Sequence, residues 1–300
     1  TEFSVVRNEM ESGENNPHMM LWQRMASTAF DWHNYGKSTI GARTDVENVK
    51  IENLQNFYRK YYQPDNAVLL VAGKFEAAST LALIQQVFGV IPKPNRVIEP
   101  TYTQDPAQDG TREVTVRRTG DVQLTAVLYH TAAGSHVDSA AMAALSEVLG
   151  GTPNGRLHKN MVEKKLAVNV SPWNFELAER GYVLFMAELS KTQNLTEARK
   201  VLLEELEGLQ KKPFTEEELK RAKASLLSDI DKTINDPQKL AVQLSESIAN
   251  GDWRLFFLQR DRIENLKLAD LQTVAANYFK ESNRTLGQFI PTATPDRSKL

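Results

Sequence analysis

Two stretches of this 300-residue chain align without a gap, and any fold it adopts must give them equivalent places. Val46 to Asn66 reads VENVKIENLQNFYRKYYQPDN and Ile263 to Asn283 reads IENLKLADLQTVAANYFKESN, a shift of 263 − 46 = 217. Glu47, Asn48, Lys50, Leu54, Gln55, Tyr61 and Asn66 recur as Glu264, Asn265, Lys267, Leu271, Gln272, Tyr278 and Asn283. Upstream, Asn16-Pro17 with Asp31-Trp32 is echoed by Asp236-Pro237 with Asp252-Trp253, at shifts of 236 − 16 = 220 and 252 − 31 = 221. A shared order of helix, proline turn, helix, Asp-Trp, helix and strand predicts two copies of one folding unit.

Apolar periodicity supplies the elements. Glu2, Val5, Val6 and Glu9 share one helix face, and Gly13 to Pro17 stop that helix. Met19 to Phe30 is predicted as a helix with Trp22, Met25, Ala26 and Ala29 inward. Val46 to Tyr62 reads as a single amphipathic helix, Ala67 to Gly73 as a buried strand, and Glu76 to Phe88 as a helix. Five Pro and Gly positions between 92 and 112 mark a linker. Strands are expected at Glu113 to Arg118, Val122 to Ala133, Ala167 to Phe175, Gly181 to Ser190 and Arg284 to Ile290. Helices are expected at Ser139 to Leu149, Asn154 to Leu166, Leu195 to Leu209, Thr215 to Asn235, Pro237 to Asn250 and Leu268 to Phe279. Thr215 and Glu218 form a capping box. The tail from Pro291 reads as loose.

The result is an α+β chain of two related domains. Residues 1–91 are the C-terminal part of the first, 92–112 the linker and 113–300 the second. The second domain opens with a strand about a hundred residues before its own copy of the first helix. At a shift of 220 that strand's counterpart falls at 113 − 220 = −107, so the first domain is expected to lack roughly its first hundred residues.

Composition narrows the chemistry. A net charge of −2 asks for neither nucleic acid nor an anionic membrane, and no apolar run approaches the ~20 residues of a membrane span. The chain has no cysteine, which excludes disulfides, cysteine catalysis and thiolate zinc sites. His18, His33, His130, His136 and His158 contain no pair at i, i+3 or i+4, so no two-histidine helical metal motif exists. His33, beside Trp32 and Tyr35, reads as a loop histidine packed on aromatics rather than part of a peptide cleft, and His158 as solvated surface. The glycines of Gly150 to Gly155 lack the Lys-Ser/Thr ending of a phosphate loop and read as a helix stop and turn.

That leaves Glu2 and Glu9, which bracket Val5 and Val6. If this face is buried, its carboxylates need a partner or a metal; otherwise it is a solvated face with a small apolar spot. The second copy keeps no such pair: the same places hold Leu219 and Leu226 at a shift of 217, or Ala222 and Asp229 at 220.

Glu2-x6-Glu9 followed by Asn16-Pro17, His33 to Gly41, Tyr61 to Asn66 leading into Val68 to Gly73, Gly150 to Leu157 and Glu218 to Lys223 occur here in order. Together they resemble the pitrilysin/insulinase (M16) family of zinc metallopeptidases, large bacterial type, over nearly the whole chain. The resemblance implies domains that each have a mostly antiparallel sheet with helices on one face, the first incomplete. In that family two histidines of an H-x-x-E-H helix and a later glutamate hold zinc, which lowers the pKa of a bound water to about 7 for attack on a peptide bond. Glu9 matches the later glutamate, the third zinc ligand, and Glu2 matches a supporting glutamate. No H-x-x-E-H occurs here, so the resemblance implies zinc in the intact enzyme but none bound by this chain, and no activity alone. The implied partners are a peptide substrate, the missing N-terminal segment and a second half of the enzyme. Lys165 to Val168 lacks the tyrosine that the other half supplies. The implied compartment of the parent is periplasmic or secreted. The alternative is a non-catalytic homologue acting as scaffold or partner subunit.

Overall fold

The computed structural model describes residues 2–209 and 211–295; of the tail expected to be loose from Pro291, residues 291 and 292 instead end the last strand, and residues 296–300 lie outside the described residues. Among the described residues five strands form one sheet: β1 (Arg112–Thr119), β2 (Val122–His130), β3 (Asn169–Phe175), β4 (Tyr182–Ser190) and β5 (Arg284–Thr292). Their spatial order is β1-β5-β2-β4-β3, with β1 parallel to β5 and every other pairing antiparallel. β2 and β4 are near-continuous apolar runs because both of their faces are covered.

One face carries the helices of the sheet's own segment. These are α6 (Asp138–Gly150), α7 (Leu195–Glu207), α8 (Glu216–Ile234), α10 (Leu255–Asn265) and α11 (Leu268–Tyr278), with α9 (Pro237–Ala249) outside, on α8 and α10. Val127, Val183, Phe185 and Leu286 of the strands meet Leu145, Leu149, Leu202, Leu219 and Leu271 there. The capping box at Thr215 and Glu218 forms as expected. α10 was not foreseen: it opens Leu255-Phe256-Phe257-Leu258, an unbroken apolar run without helical period. The helix expected over Asn154 to Leu166 is present but shorter: residues 156–162 are helical, with a π segment at His158–Val162 and turns on either side, and β3 then begins at Asn169.

The opposite face of the sheet is covered as well. α1 (Glu2–Asn15) leads into α2 (Pro17–Ala29), whose Asn16 cap accepts the N–H groups of His18 and Met19. Leu21, Met25, Ala29 and Phe30 pack on Leu124, Ala126, Leu128, Leu184, Met186 and Phe289. α2 lies so close to β5 that a Cβ on Gly287 would sit 2.2 Å from the Met25 sulfur. Trp22 stacks on Phe175 at 5.5 Å and donates its indole N–H to the Tyr182 hydroxyl at 2.9 Å.

The rest of the N-terminal stretch is sparsely packed. The single helix expected over Val46 to Tyr62 is two, α3 (Arg43–Asn48) and α4 (Ile51–Tyr61), because Val49 and Lys50 take extended backbone angles. α5 (Ala77–Val87) follows, and none of the three buries a residue. Ala67 to Gly73 is a correction to the expected strand: it pairs with no strand among the described residues. A ladder needs a neighbour about 4.8 Å away, however strand-like the sequence. The linker is pinned rather than loose. Asp105 accepts the backbone N–H groups of Asp31, Trp32 and His33 at 2.7–3.0 Å, and Gln108 donates to the Arg284 carbonyl at 2.6 Å.

Candidate functional site

α1 holds both glutamates singled out by the sequence. Met10 is its one buried residue; Glu2, Val5 and Glu9 are exposed and Val6 is half-buried. In this chain the face they share is therefore open, not buried. Neither Glu2 nor Glu9 makes an ion pair or side-chain hydrogen bond among the described residues. Their neighbours off that face are engaged. Glu11 meets Arg43 at 3.3 Å and Glu14 meets Arg118 at 4.0 Å, while Arg118 also donates to the Glu14 carbonyl at 2.8 Å. In α8, Leu219 and Ala222, the residues standing in Glu2's place at the two repeat shifts, are buried, and α8 packs against α6.

The histidines are committed elsewhere. The Nε2 atom of His33 lies 3.1 Å from a Glu179 carboxylate oxygen, and its Nδ1 accepts the Tyr35 N–H at 3.1 Å. Its ring packs on Phe30 and Tyr35, which supports the reading of a loop histidine on aromatics. The His18 ring nitrogen lies 3.0 Å from Glu188, tying α2 to β4, and His130 bonds the Ala29 carbonyl at 3.1 Å. His158 is half-buried with an unpartnered Nδ1, so it is not the solvated residue expected. Among the described residues no three His, Cys, Asp or Glu side chains lie together as a metal site. The residues present do not compose a zinc site by themselves, and no catalytic step is assigned to them.

Asp105 is anchored electrostatically. Partial burial would push its carboxyl up, but the three N–H donors of residues 31–33 hold it below the usual carboxylate range. A second cluster, not legible as a unit in the sequence, joins two of the quoted motifs. Arg156 donates to both Glu218 oxygens at 2.7 and 2.8 Å and to the carbonyls of Lys212 and Pro213, and it lies over the Phe214 ring at 4.8 Å. Burial alone would raise the Glu218 carboxyl, yet Arg156 and the Thr215 N–H hold it below its ordinary value. This is a bidentate clamp between the turn after α6 and the start of α8.

Residues 48–226 match the family model described as the peptidase M16 inactive domain, well over half of the chain. The chain belongs to the M16 peptidase family. It is 29% identical over 288 residues to the zinc protease PqqE of Helicobacter pylori, covering 95% of this chain and 65% of that relative's length. The crystal structure of a protease from Helicobacter pylori superposes with a TM-score of 0.91 at 28% identity, over 97% of this chain and 71% of that one. The inactive peptidase domain of a candidate zinc protease from Bordetella parapertussis is 43% identical, with a TM-score of 0.55, and matches 61% of this chain and 100% of that one. The M16 fold, a five-stranded mixed sheet with packed helices, is thus the α+β architecture expected from the residues.

Proposed function

We propose that this chain is part of an M16 zinc metalloendopeptidase, inactive alone, in which residues 2–91 belong to the zinc-binding domain and residues 113–295 to its non-catalytic homologue. The observation that supports this most is the open face of α1. Among the described residues Glu2 and Glu9 have no side-chain partner, while Glu11 and Glu14 are held by arginines, and the motif resemblance matches Glu2 to the family's supporting glutamate and Glu9 to its ligating one. A free carboxylate on a helix whose counterpart is buried against a neighbouring helix is suited to complete a site supplied from outside this chain. Glu9 would be one zinc ligand of the intact enzyme and Glu2 would orient the shell around it. A peptide substrate and a companion half of the enzyme follow from the same reading, as does a periplasmic or secreted location. No helix among the described residues is long and apolar enough to cross a membrane.

The match to a family model named for an inactive domain supports a second reading, a non-catalytic M16 scaffold or partner subunit. Four variants of the intact enzyme separate the two: Glu2→Gln, Glu9→Gln, Glu11→Gln and Glu14→Gln, read by zinc content and peptide cleavage. Glu9→Gln is expected to remove most of both, Glu2→Gln to cost about 10- to 100-fold, and the others to change little, since exposed ion pairs contribute under about 1 kcal/mol. Equal, mild effects at all four positions would favour the scaffold.

A further inference from the structure

The two edges of the sheet are built differently. β3, at one edge, carries Pro172 in its middle, a residue that cannot donate to a further ladder. β1, at the other, pairs with β5 over the whole of Arg112–Thr119 with no bulge, proline or glycine, and among the described residues it pairs with no other strand. Proline and bulges are two of the devices that keep an edge strand from recruiting another chain, and β1 has neither. Its side chains alternate. Glu113, Thr115 and Arg117 are exposed on one face, while Val114 and Val116 are half-buried on the other, at the margin of the cluster that α2 forms with the sheet. Glu113 meets Arg199, whereas Arg117 makes no ion pair among the described residues. On the α2 side this margin is a groove of about 330 Å³ lined by Glu14, Met20, Arg24, Val114, Val116 and Arg118. Arg118 bonds the Glu14 carbonyl at one end and Arg112 bonds the Thr28 carbonyl at the other, so α2 runs against the direction of β1 and Arg24 lies toward the Arg112 end.

We infer that β1 is a self-pairing edge: two copies of this chain join antiparallel through it, about a two-fold axis at Thr115, into one continuous sheet. Opposed residues of such a pair share a face, so with period-2 alternation the axis must pass through a residue rather than between two. Centred on Thr115, opposed residue numbers sum to 115 + 115 = 230. Glu113 then stands opposite the partner's Arg117, Val114 opposite the partner's Val116, and Thr115 opposite itself. Arg112 and Arg118, the one like-charged pair, are already held by Asp31 and Glu14. Centring on Val114 or on Val116 instead sets a valine opposite an arginine and leaves Glu113 facing a threonine. The Thr115 axis also turns the Arg24 end of each groove toward the Glu14 end of the other, and it carries the apolar margin of Val114 and Val116 across the junction. Opposite charges and apolar pairs placed across strands stabilise a ladder, and like charges oppose it. An acidic strand from another protein would satisfy Arg117 but would set a carboxylate against Glu113; the self-complementary order Glu-Val-Thr-Val-Arg over residues 113–117 selects a second copy. A parallel pairing of copies would be head to tail and would not close. This interface does not depend on the peptidase reading.

Charge exchange across the axis tests it on this chain, with association followed by sedimentation velocity at micromolar concentrations. The wild-type chain should sediment as a dimer. Glu113→Arg and Arg117→Glu each set like charges opposite one another at both symmetric pairs, and each should weaken association about tenfold or more. An equimolar mixture of the two variants should associate again as a heterodimer, because each supplies the charge the other lacks, and the double variant should dimerise as the wild type does. Thr115→Cys gives the chain its only thiol, and mild oxidation should link two copies, since opposed Cα atoms lie about 4.5–5.5 Å apart, within reach of a disulfide. Thr119→Cys should not link, because residue 119 faces residue 230 − 119 = 111 in this register. A monomeric wild type overturns the inference. So does a dimer that both charge reversals leave intact, which would place the contact on other exposed apolar elements such as α4. Linking of Thr119→Cys as readily as Thr115→Cys overturns the register and the inference with it. A monomer that binds the peptide Glu-Val-Thr-Val-Glu and loses it on Arg117→Glu also overturns it, because a foreign strand would then be the occupant.

Discussion

Arg156 shows what a sequence hides at the scale of a residue. It is visible in Gly150 to Leu157 as one charged position near a helix stop, but its partner Glu218 lies 62 residues on, and no period or spacing connects them. The clamp is largely shielded, so removing one partner leaves an uncompensated charge. Arg156→Ala should cost about 3 kcal/mol and Glu218→Gln about 1–2 kcal/mol in urea unfolding of this chain. Glu218 also has a pH signature. Its folded-state pKa is lowered from 4.5, so its stabilisation is full above that value and is lost as pH falls through the folded pKa. Between pH 5 and pH 3 the wild-type midpoint should fall more steeply than that of Glu218→Gln; parallel curves would mean the clamp contributes nothing. Glu2 and Glu9 were legible for the opposite reason: both sit on one short helix, where spacing alone assigns the shared face. What spacing could not tell is that this face stands open here.

Among the elements, α2 and the 67–75 segment bracket the limits of pattern reading. The apolar face of α2 was legible, but what it covers was not. A helical stripe says that something apolar lies opposite, and only the fold reveals that it is the far face of the sheet, at Gly287. That contact is testable by a mutant cycle. Gly287→Ala should destabilise by about 1–3 kcal/mol through overpacking, and Met25→Ala by about 2–5 kcal/mol through a cavity. The double variant should lose clearly less than the sum, because the new methyl group enters the space the methionine leaves. Strict additivity would show that the two do not touch. For residues 67–73 the pattern predicted a strand and the segment pairs with none among the described residues, since a strand is a property of two segments and a sequence window contains one. α10 failed from the other side: its four leading apolar residues carry no period, although its buried Phe256 and Ile263 make it part of the core.

Taken whole, the molecule does not divide where its composition does. The proline-rich stretch 92–112 reads as a boundary, and the repeat reads as two units, yet α2, from one side of that stretch, forms the floor beneath a sheet built almost entirely from the other. Arg112 reinforces this by donating to the Thr28 and Ala29 carbonyls and to Asp31. The covalent link is therefore not what keeps the pieces together. A single protease cut between Pro92 and Pro100, an irregular run of alternating exposed and half-buried residues, should yield two bands on a denaturing gel but one species by native mass spectrometry. Dissociation of the nicked protein would mean that α2 is a weak contact. If the fragments stay bound, residues 2–91 and 101–295 produced as separate polypeptides should find each other, so the chain would behave as a split protein whose halves carry their own reassembly signal.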